Sequence, residues 1–403
     1  MTDLVVVGAG VMGAWTALQA IRAGRRVTLF DAYGAGHPRA TSGDETRITR
    51  ASHGPDEFYA RWSRTAREEW IALGDEVGQE CFVKAGALWF AHKEEGFEAV
   101  SGETLGRLGI PVERLSPEEA AARWPQIAVD DLAFLVYEPD AGLLMARRSV
   151  AALAARVTDL GGSFEIASAR PGDADGGRML DVVLDDGRRI AGDQFVFACG
   201  PWLPGVFPDV AGDLIRVTKQ DVCFMGPPAG DTRFAVPSLP CWIDYDASFY
   251  GVPAVDGRGT KIAPDEYGVP FDPSLDDRLV DERSVRQAHA YLGRRFPALA
   301  GAPVVETRVC QYETTPDTNF VIDRHRAFDN VWLVGGGSGH GFKHGPSIGR
   351  YVTRLLDGHV AEGPELRFRI DRPREVAATG AGARRIIDEA YTRQESTGRP
   401  TGS

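Results

Sequence analysis

The chain has few cysteines, fewer basic than acidic residues, and no long apolar run. Its five cysteines are odd in number and never form a CxxC pair, so neither a disulfide framework nor a zinc site is expected. No apolar run approaches the about 20 residues that cross a bilayer. With 45 Lys+Arg against 57 Asp+Glu, the formal charge of −12 argues against nucleic-acid or anionic-membrane partners.

The N-terminal sequence bears on cellular location. The N-terminus has no basic region before its short apolar run and no small-residue cleavage site, so a signal peptide is not expected. A cytoplasmic location is therefore predicted, in agreement with the scattered cysteines. The composition, 43% hydrophobic and 25% charged over 403 residues, is that of a globular protein of two or three domains, without internal repeats.

A dinucleotide-binding motif begins the chain. The apolar run Leu4–Val7 predicts a buried parallel strand that leads into the sequence GAGVMG. A helix over 14–22 and a second strand over 26–30 are predicted to follow, and that strand stops at Asp31. This strand–GxGxxG–helix–strand–acid order is typical of dinucleotide-binding units, but it does not separate NAD from FAD.

Each part of this motif has a mechanical role. Gly8 permits the tight turn, Gly10 lets a pyrophosphate approach the backbone, and Gly13 lets the helix pack on the strand. The helix N-terminus offers free N–H groups to the phosphates, and Asp31 can accept hydrogen bonds from a ribose. The predicted cofactor-binding residues here are Gly8, Gly10, Val11, Met12, Gly13 and Asp31.

The next segment, TSGDETRITR over 41–50, predicts a short helix. Ser42 or Asp44 could cap it, and Glu45 three residues after Ser42 would complete a capping box. Arg47 and Arg50 would then lie on one helical face. The alternative is a solvated basic surface, but the position of the segment just after the nucleotide-binding acid favours a functional role.

The remaining pattern predicts an α/β (α+β) fold in which a Rossmann-like domain is assembled from non-contiguous segments. The predicted helices and strands cover 57–73, 147–160, 194–198, 215–225, 242–245, 249–252, 304–312, 331–334 and 346–356. The second domain is predicted to contain a mainly antiparallel sheet. The predicted boundaries are 1–80, 145–213 and 315–372 for the nucleotide domain, 81–144 and 214–314 for the catalytic domain, and 373–403 for a tail with a possible helix near 385–391.

Four motifs in this order resemble the D-amino-acid oxidase superfamily of FAD-dependent amine oxidoreductases. They are GAGVMG, TRITR, VCQYETTPD and GSGHGFK, and the resemblance covers 4–374, with the monomeric sarcosine oxidase and N-methyltryptophan oxidase group as the best match. It implies FAD as the cofactor. It also implies roles in FAD binding for Ser42, Thr46, Arg47, Gly339, His340, Gly341, Phe342 and Lys343.

Cys310 lies in the strand-like stretch 307–312, where alternation places it on one face with Tyr312. The resemblance implies that Cys310 forms an 8α-thioether with FAD. A thiolate is a good nucleophile for this reaction, and nearby cations favour the thiolate. The alternative is a buried free cysteine acting as a small hydrophobe, which we expect for the other four cysteines.

The resemblance also implies the catalytic residues. Arg50 and Lys343 would pair with the substrate carboxylate, since an unpaired buried carboxylate is prohibitive. Lys261 would stabilise negative charge on oxygen, although a lysine after a Gly-rich turn is more often a solvated hairpin residue. Tyr250 and Tyr312 would wall the pocket, or serve only in packing. No metal is expected, because no ligands share a spacing with His340.

Two positions depart from sarcosine oxidases, where histidines replace Gly43 and Asp265. Asp265, if it points inward, would attract a second positive charge on the substrate, so sarcosine is not expected to be preferred. The implied function is an oxidase of a secondary or N-substituted amino acid that produces an imine and H₂O₂, in a monomer or weak oligomer. The alternatives are a dehydrogenase, an oxidase of cyclic imino acids or sugar–amine adducts, and a non-enzymatic flavin-binding protein.

Overall fold

The computed structural model describes residues 2–266 and 268–373. Most of the tail predicted over 373–403, with its possible helix near 385–391, therefore lies outside the described residues. In the described part of the chain, no helix combines the length and the apolar character that crossing a membrane requires.

Nine α-helices form within these residues. They are α1 (Val11–Arg22), α2 (Glu57–Val77), α3 (Phe97–Arg107), α4 (Pro117–Arg123), α5 (Ala146–Asp159), α6 (Leu203–Val206), α7 (Pro208–Ala211), α8 (Glu282–Arg295) and α9 (Gly345–Leu356). The predicted helices α1, α5 and α9 begin or end within three residues of their expected bounds. Helix α2 continues about one turn beyond its predicted end and stops at Gly78, whose left-handed backbone (φ 65°) suits glycine.

The strands of the described residues belong to two large sheets, one small sheet and one isolated pair. They are β1 (Thr2–Val7), β2 (Val27–Asp31), β3 (Arg47–Thr49), β4 (Phe82–Lys84), β5 (Ala87–Ala91), β6 (Glu113–Leu115), β7 (Phe134–Glu138), β8 (Gly142–Leu144), β9 (Ser163–Ile166), β10 (Ala169–Pro171), β11 (Ala174–Asp175), β12 (Arg178–Met179), β13 (Asp181–Leu184), β14 (Arg189–Phe197), β15 (Arg216–Met225), β16 (Cys241–Asp244), β17 (Phe249–Val252), β18 (Thr260–Pro264), β19 (Val304–Thr314), β20 (Val321–Arg324) and β21 (Val331–Gly335).

The first sheet is the nucleotide-binding type that the N-terminal motif predicts. Strand β1 lies between β2 and β14, and β9 and β21 extend the parallel set on either side. Its apolar residues are buried on both faces, as expected for a parallel sheet covered by helices. Helix α1 packs against α5 and α9, and the ring of Trp15 on α1 meets Trp70 on α2 edge to face at 5.2 Å.

The second sheet is mainly antiparallel. Its strand order is β19-β15-β18-β17-β16-β5-β7-β6, and within the described residues all its neighbouring strands are antiparallel except the parallel pair β16 and β5. A small sheet of β3, β8 and β4 lies beside it. The fold class predicted from the sequence, α/β with an antiparallel second sheet, is therefore confirmed. The domain boundaries stay a prediction.

The prediction of a helix within 41–50 is wrong. Thr41–Gly43 forms only a 3₁₀ turn, and Arg47–Thr49 is strand β3, paired antiparallel with β8. The β-branched side chains of Ile48 and Thr49 favour a strand. The Asp44 carboxylate does not cap a helix, because ion pairs engage it instead.

The nucleotide motif, the 41–50 segment and the glycine loop, which comprises 336–343, lie at one edge of the first sheet, where the parallel strands have their carboxyl ends. Gly8 follows β1, Asp31 ends β2, and Gly335 ends β21 before the loop that leads into α9. Ligands of open α/β sheets bind at this edge. The second sheet faces the same edge through β18 and β19, so one cavity lies between the two sheets.

Candidate active site

A cavity of about 390 Å³ lies at the carboxyl edge of the first sheet. All but two of the site residues predicted from the sequence line it. Those residues are Gly8, Gly10, Val11, Met12, Asp31, Ser42, Arg47, Arg50, Tyr250, Lys261, Cys310, Tyr312, Gly339, His340, Gly341, Phe342 and Lys343. The exceptions are Gly13 and Thr46. A Cβ on Gly13 would lie 1.9 Å from the carbonyl oxygen of Gly8, so Gly13 serves packing.

The N-terminus of α1 is free to receive an anion. Its N-cap is Gly10, which has no side chain to occupy the first N–H groups, and its first turn contains no acidic residue. The N–H of Val11 donates to the Ser42 hydroxyl at 3.0 Å. Gly8 has φ 103°, and a Cβ there would lie 2.3 Å from the carbonyl oxygen of Ala198. The turn therefore requires glycine and exposes a helix terminus suited to a pyrophosphate.

Asp31 is held at the mouth of this turn by backbone donors. Its Oδ2 accepts the N–H of Ala9 at 2.8 Å, and its Oδ1 accepts the N–H groups of Tyr33 and Gly34, each at 2.9 Å. Each carboxylate oxygen can accept further hydrogen bonds. Asp31 can therefore hold a ribose hydroxyl, as the motif predicts.

A buried ionic cluster joins the 41–50 segment to the second sheet. The Asp44 carboxylate pairs with the Lys261 ammonium and, at 2.5 Å, with the Arg47 guanidinium. The side chains of Asp44 and Lys261 are only 3% and 2% exposed. Although burial opposes it, the two cations hold the pKa of Asp44 well below its usual range, while burial lowers the pKa of Lys261. Lys261 is thus not a solvated hairpin residue.

Cys310 differs from the other cysteines in its surroundings. Arg47 donates to its Sγ at 3.1 Å, and the carbonyl oxygen of Thr41 lies 3.7 Å away. By contrast, burial raises the pKa of Cys199 and of Cys241 to about 12 each. The contact with the Arg47 guanidinium therefore distinguishes the surroundings of Cys310 from those of Cys199 and Cys241.

Arg50, which is partly buried, and Lys343, which is buried, are two cations without a paired anion among the described residues. Within residues 2–266 and 268–373, no carboxylate oxygen lies within 4.0 Å of either charged group. Arg50 donates to the carbonyl oxygen of Ser52, and Lys343 donates to that of His340 at 2.9 Å. Burial lowers the pKa of Lys343 well below its usual value, and Arg50 adds to this shift.

Glu138 and Trp89 support Arg50 and were missed by sequence reasoning. The Glu138 carboxylate accepts the N–H of Ala51 at 2.6 Å, the hydroxyl of Ser52 at 2.6 Å and the indole N–H of Trp89 at 3.0 Å. The Arg50 guanidinium lies over the Trp89 ring, 4.8 Å from its centroid. Both residues are in strand-like runs without a motif, so the sequence contained no signal for their role.

The prediction that His340 lacks possible ligand partners is wrong. His53 and His344 each have a ring nitrogen within 4.8 Å of it, a distance at which three histidines could hold a metal ion. Sequence spacing could not show this, because 287 positions separate His53 from His340. Burial, together with the charges of Lys343 and Arg50, lowers the pKa of all three rings well below the usual value. These cations also disfavour a metal ion, and the absence of a metal stays a prediction.

The chain is similar in sequence to known proteins. A sequence model of the family "DAO: FAD dependent oxidoreductase" matches residues 3–355. Monomeric sarcosine oxidase of Streptomyces avermitilis is 30% identical over 369 residues, with 89% of this chain and 94% of that protein covered. N-methyl-L-tryptophan oxidase of Salmonella dublin is 24% identical over 92% of this chain and 98% of that protein.

The fold of a solved structure is also similar. L-proline dehydrogenase from P. horikoshii superposes with a TM-score of 0.78 at 21% identity, over 90% of this chain and 94% of that one. This likeness concerns the fold. Because the family model spans most of the chain and includes both the nucleotide motif and the glycine loop, the chain belongs to the DAO family of FAD-dependent oxidoreductases.

Proposed function

We propose that the protein is an FAD-dependent oxidase of a secondary or N-substituted amino acid. The main support is the pair of cations, the partly buried Arg50 and the buried Lys343, that line one cavity without an anionic partner within 4.0 Å among the described residues. Such charges are costly unless a bound anion pairs with them. Two relatives that match nearly the full chain are oxidases of sarcosine and of N-methyl-L-tryptophan by name, and both compounds are N-methyl amino acids.

In this proposal the chain's residues bind and orient the substrate. Arg50 offers a planar fork to the two carboxylate oxygens, and Lys343 adds a point charge. The rings of Tyr250 and Tyr312 line the same cavity and exclude water from the reacting carbon. Bound FAD supplies the acceptor for a hydride equivalent from the carbon next to the amine nitrogen. The resulting imine is hydrolysed by water, and an N-methyl substrate then yields an aldehyde and the shorter amine.

The ion pair of Lys261 and Asp44 is proposed to serve the reaction with oxygen. The Lys261 ammonium lines the cavity and stabilises negative charge as O₂ gains electrons. Asp44 and the carbonyl oxygen of Thr46, 3.1 Å from the ammonium nitrogen, hold it in place. The product of this step is hydrogen peroxide.

We further propose that FAD is attached covalently through Cys310. The support is the Arg47 contact to the sulfur and the position of Cys310 on the cavity wall. The proposed domain division is 1–80, 145–213 and 315–372 for the FAD-binding domain and 81–144 and 214–314 for the catalytic domain. We propose a cytoplasmic monomer or weak oligomer, with the substrate and O₂ as its partners.

The test of this function measures oxygen consumed and peroxide formed by the FAD-containing protein in air. The substrates are sarcosine, N-methyl-L-tryptophan, L-proline and a fructosyl amino acid. We expect one peroxide per O₂ with an N-methyl amino acid. Anaerobic bleaching of the flavin without peroxide in air would instead indicate a dehydrogenase, and bleaching by none of the four would contradict the proposed function.

A further inference from the structure

A carboxylate lies in the same cavity as the two unpaired cations. Asp265 directly follows strand β18, and its backbone N–H donates to the carbonyl oxygen of Ser248 at 2.8 Å. Its side chain lines the cavity with Arg50 and Lys343. The Tyr312 hydroxyl donates to its Oδ1 at 3.3 Å. The backbone and this hydroxyl therefore fix a carboxylate that faces the substrate space.

Asp265 has no ion pair with the described residues. No nitrogen of a lysine, arginine or histidine in 2–266 or 268–373 lies within 4.0 Å of its carboxylate. By contrast, Asp44 pairs with two cations that line the cavity, Arg47 and Lys261. Burial raises the pKa of Asp265, and this shift is opposed by the charge of Arg50 and by the Tyr312 hydrogen bond. Among the described residues, Arg50 thus acts on this carboxylate only from beyond ion-pair distance.

The charges of the cavity match those of an amino-acid zwitterion. Arg50 and Lys343 match the substrate carboxylate, and Asp265 matches the substrate ammonium. We propose that Asp265 binds the ammonium of the substrate and accepts its proton, so that the amine becomes neutral before it is oxidised. This inference rests on the proposed function, because it assumes that the substrate carboxylate binds at Arg50 and Lys343.

The proposed step is a proton transfer alone. One N–H bond of the ammonium breaks and one O–H bond forms on a carboxyl oxygen of Asp265, with no change in the number of electrons on either partner. The step is needed because an ammonium has no lone pair to support loss of hydride from the neighbouring carbon. A carboxyl group whose pKa is raised by burial is a better proton acceptor than an exposed one.

Two ligands of the same shape distinguish the contribution of a positively charged nitrogen to binding from the contribution of the ligand carboxylate. Glycine betaine and 3,3-dimethylbutanoate both have a carboxylate joined through one CH₂ to an atom that bears three methyl groups. That atom is a cationic nitrogen in betaine and a neutral carbon in 3,3-dimethylbutanoate. Neither has an N–H group or an amine lone pair. Their dissociation constants are measured from the flavin absorbance of the FAD-containing protein, so this readout does not depend on turnover.

We expect wild type to bind betaine about tenfold more tightly than 3,3-dimethylbutanoate, because the Asp265 carboxylate attracts the cationic nitrogen. Asp265→Asn should abolish this preference and retain the affinity for 3,3-dimethylbutanoate. Equal preference in wild type and Asp265→Asn would overturn the inference. Loss of 3,3-dimethylbutanoate binding in Arg50→Ala supports the carboxylate site at Arg50 and Lys343 independently of Asp265. If that site is wrong, Arg50→Ala still binds 3,3-dimethylbutanoate, whereas if the role of Asp265 is wrong, the preference for betaine is the same in wild type and Asp265→Asn.

The pH dependence of kcat/KM tests the proton transfer. The charged and titratable groups around Asp265 are Arg50 after β3, Tyr250 on β17 and Tyr312 on β19. Wild type should lose activity toward an N-methyl amino acid as the pH falls and Asp265 becomes protonated. Asp265→Asn should be slow at neutral pH and recover as the pH rises toward the pKa of the free amine. Parallel profiles in the two proteins would overturn the role as proton acceptor.

Discussion

At the residue scale, the ammonium of Lys343 has the carbonyl oxygen of His340 as its hydrogen-bond acceptor, and the side chain is 3% exposed. We expect Lys343→Met to weaken binding of 3,3-dimethylbutanoate by about 1.5–3 kcal/mol, the range for a hydrogen bond to a charged group. This corresponds to roughly ten- to a hundredfold in the dissociation constant. The flavin absorbance titration described for Asp265 measures it.

Lys84→Met is the control for this prediction. Lys84 is exposed and pairs with Asp140 on the surface, so its replacement should leave the dissociation constant unchanged. An unchanged value in Lys343→Met as well would show that the substrate carboxylate binds elsewhere. Because Met keeps the length of the lysine side chain, weaker binding in Lys343→Met reflects the lost charge.

The sequence identified some of these residues and not others, for a physical reason. Gly8, Cys310 and Lys343 lie in short local motifs, and local motifs can be recognised in a sequence. Glu138 and Trp89 contact each other across two paired strands of the second sheet, although they are 49 positions apart in the sequence. Such pairs form only when the chain is folded, so neither composition nor periodicity indicates them.

At the element scale, the segment between β2 and α2 depends on Asp44. Replacing Asp44 by Asn keeps the shape but leaves the cations of Lys261 and Arg47 without a carboxylate. We expect a loss of about 3 kcal/mol in the free energy of unfolding, at the lower end for breaking a buried ion pair. Urea denaturation at pH 7 measures this loss.

A surface ion pair is the control for Asp44→Asn, and the pH dependence of stability gives a second measurement. Asp256 pairs with Arg148 near the surface, so Asp256→Asn should cost less than about 1 kcal/mol. The folded-state pKa of Asp44 is lowered, so its contribution is present at neutral pH and decreases as the pH falls below the ordinary value of 3.8. Equal stability of Asp44→Asn and wild type at pH 7 would contradict the role of the ion pair.

The same segment shows why its local structure was predicted wrongly. The Ser42–Glu45 spacing of a capping box is a local signal for a helix. In the fold, pairing of β3 with β8 and the ion pair of Asp44 with Lys261, 217 positions away, stabilise an extended backbone instead. By contrast, strand β17, Phe249–Val252, has the predicted bounds, because its apolar pattern and its pairing favour the same structure.

At the scale of the whole molecule, the cavity combines parts of both large sheets. The nucleotide turn at Gly8 belongs to the first sheet, and Cys310 belongs to strand β19 of the second. An FAD bound at the nucleotide turn and bonded to Cys310 would therefore bridge the two sheets. Its bond to the second sheet would be covalent, and its contacts with the first sheet would be non-covalent. This arrangement makes the attachment a property of the assembled fold, because neither sheet alone contains both parts.

Mass spectrometry of the denatured protein tests this link. Wild type should retain the added mass of one FAD after unfolding, whereas Cys310→Ser should lose it. Cys241 is buried on the same sheet and burial raises the pKa of its thiol to about 12, so Cys241→Ser is the matched control and should keep the flavin. A wild-type protein that releases its flavin on unfolding would exclude the covalent link and leave Cys310 as a buried thiol, while binding at the nucleotide turn would still account for the cofactor.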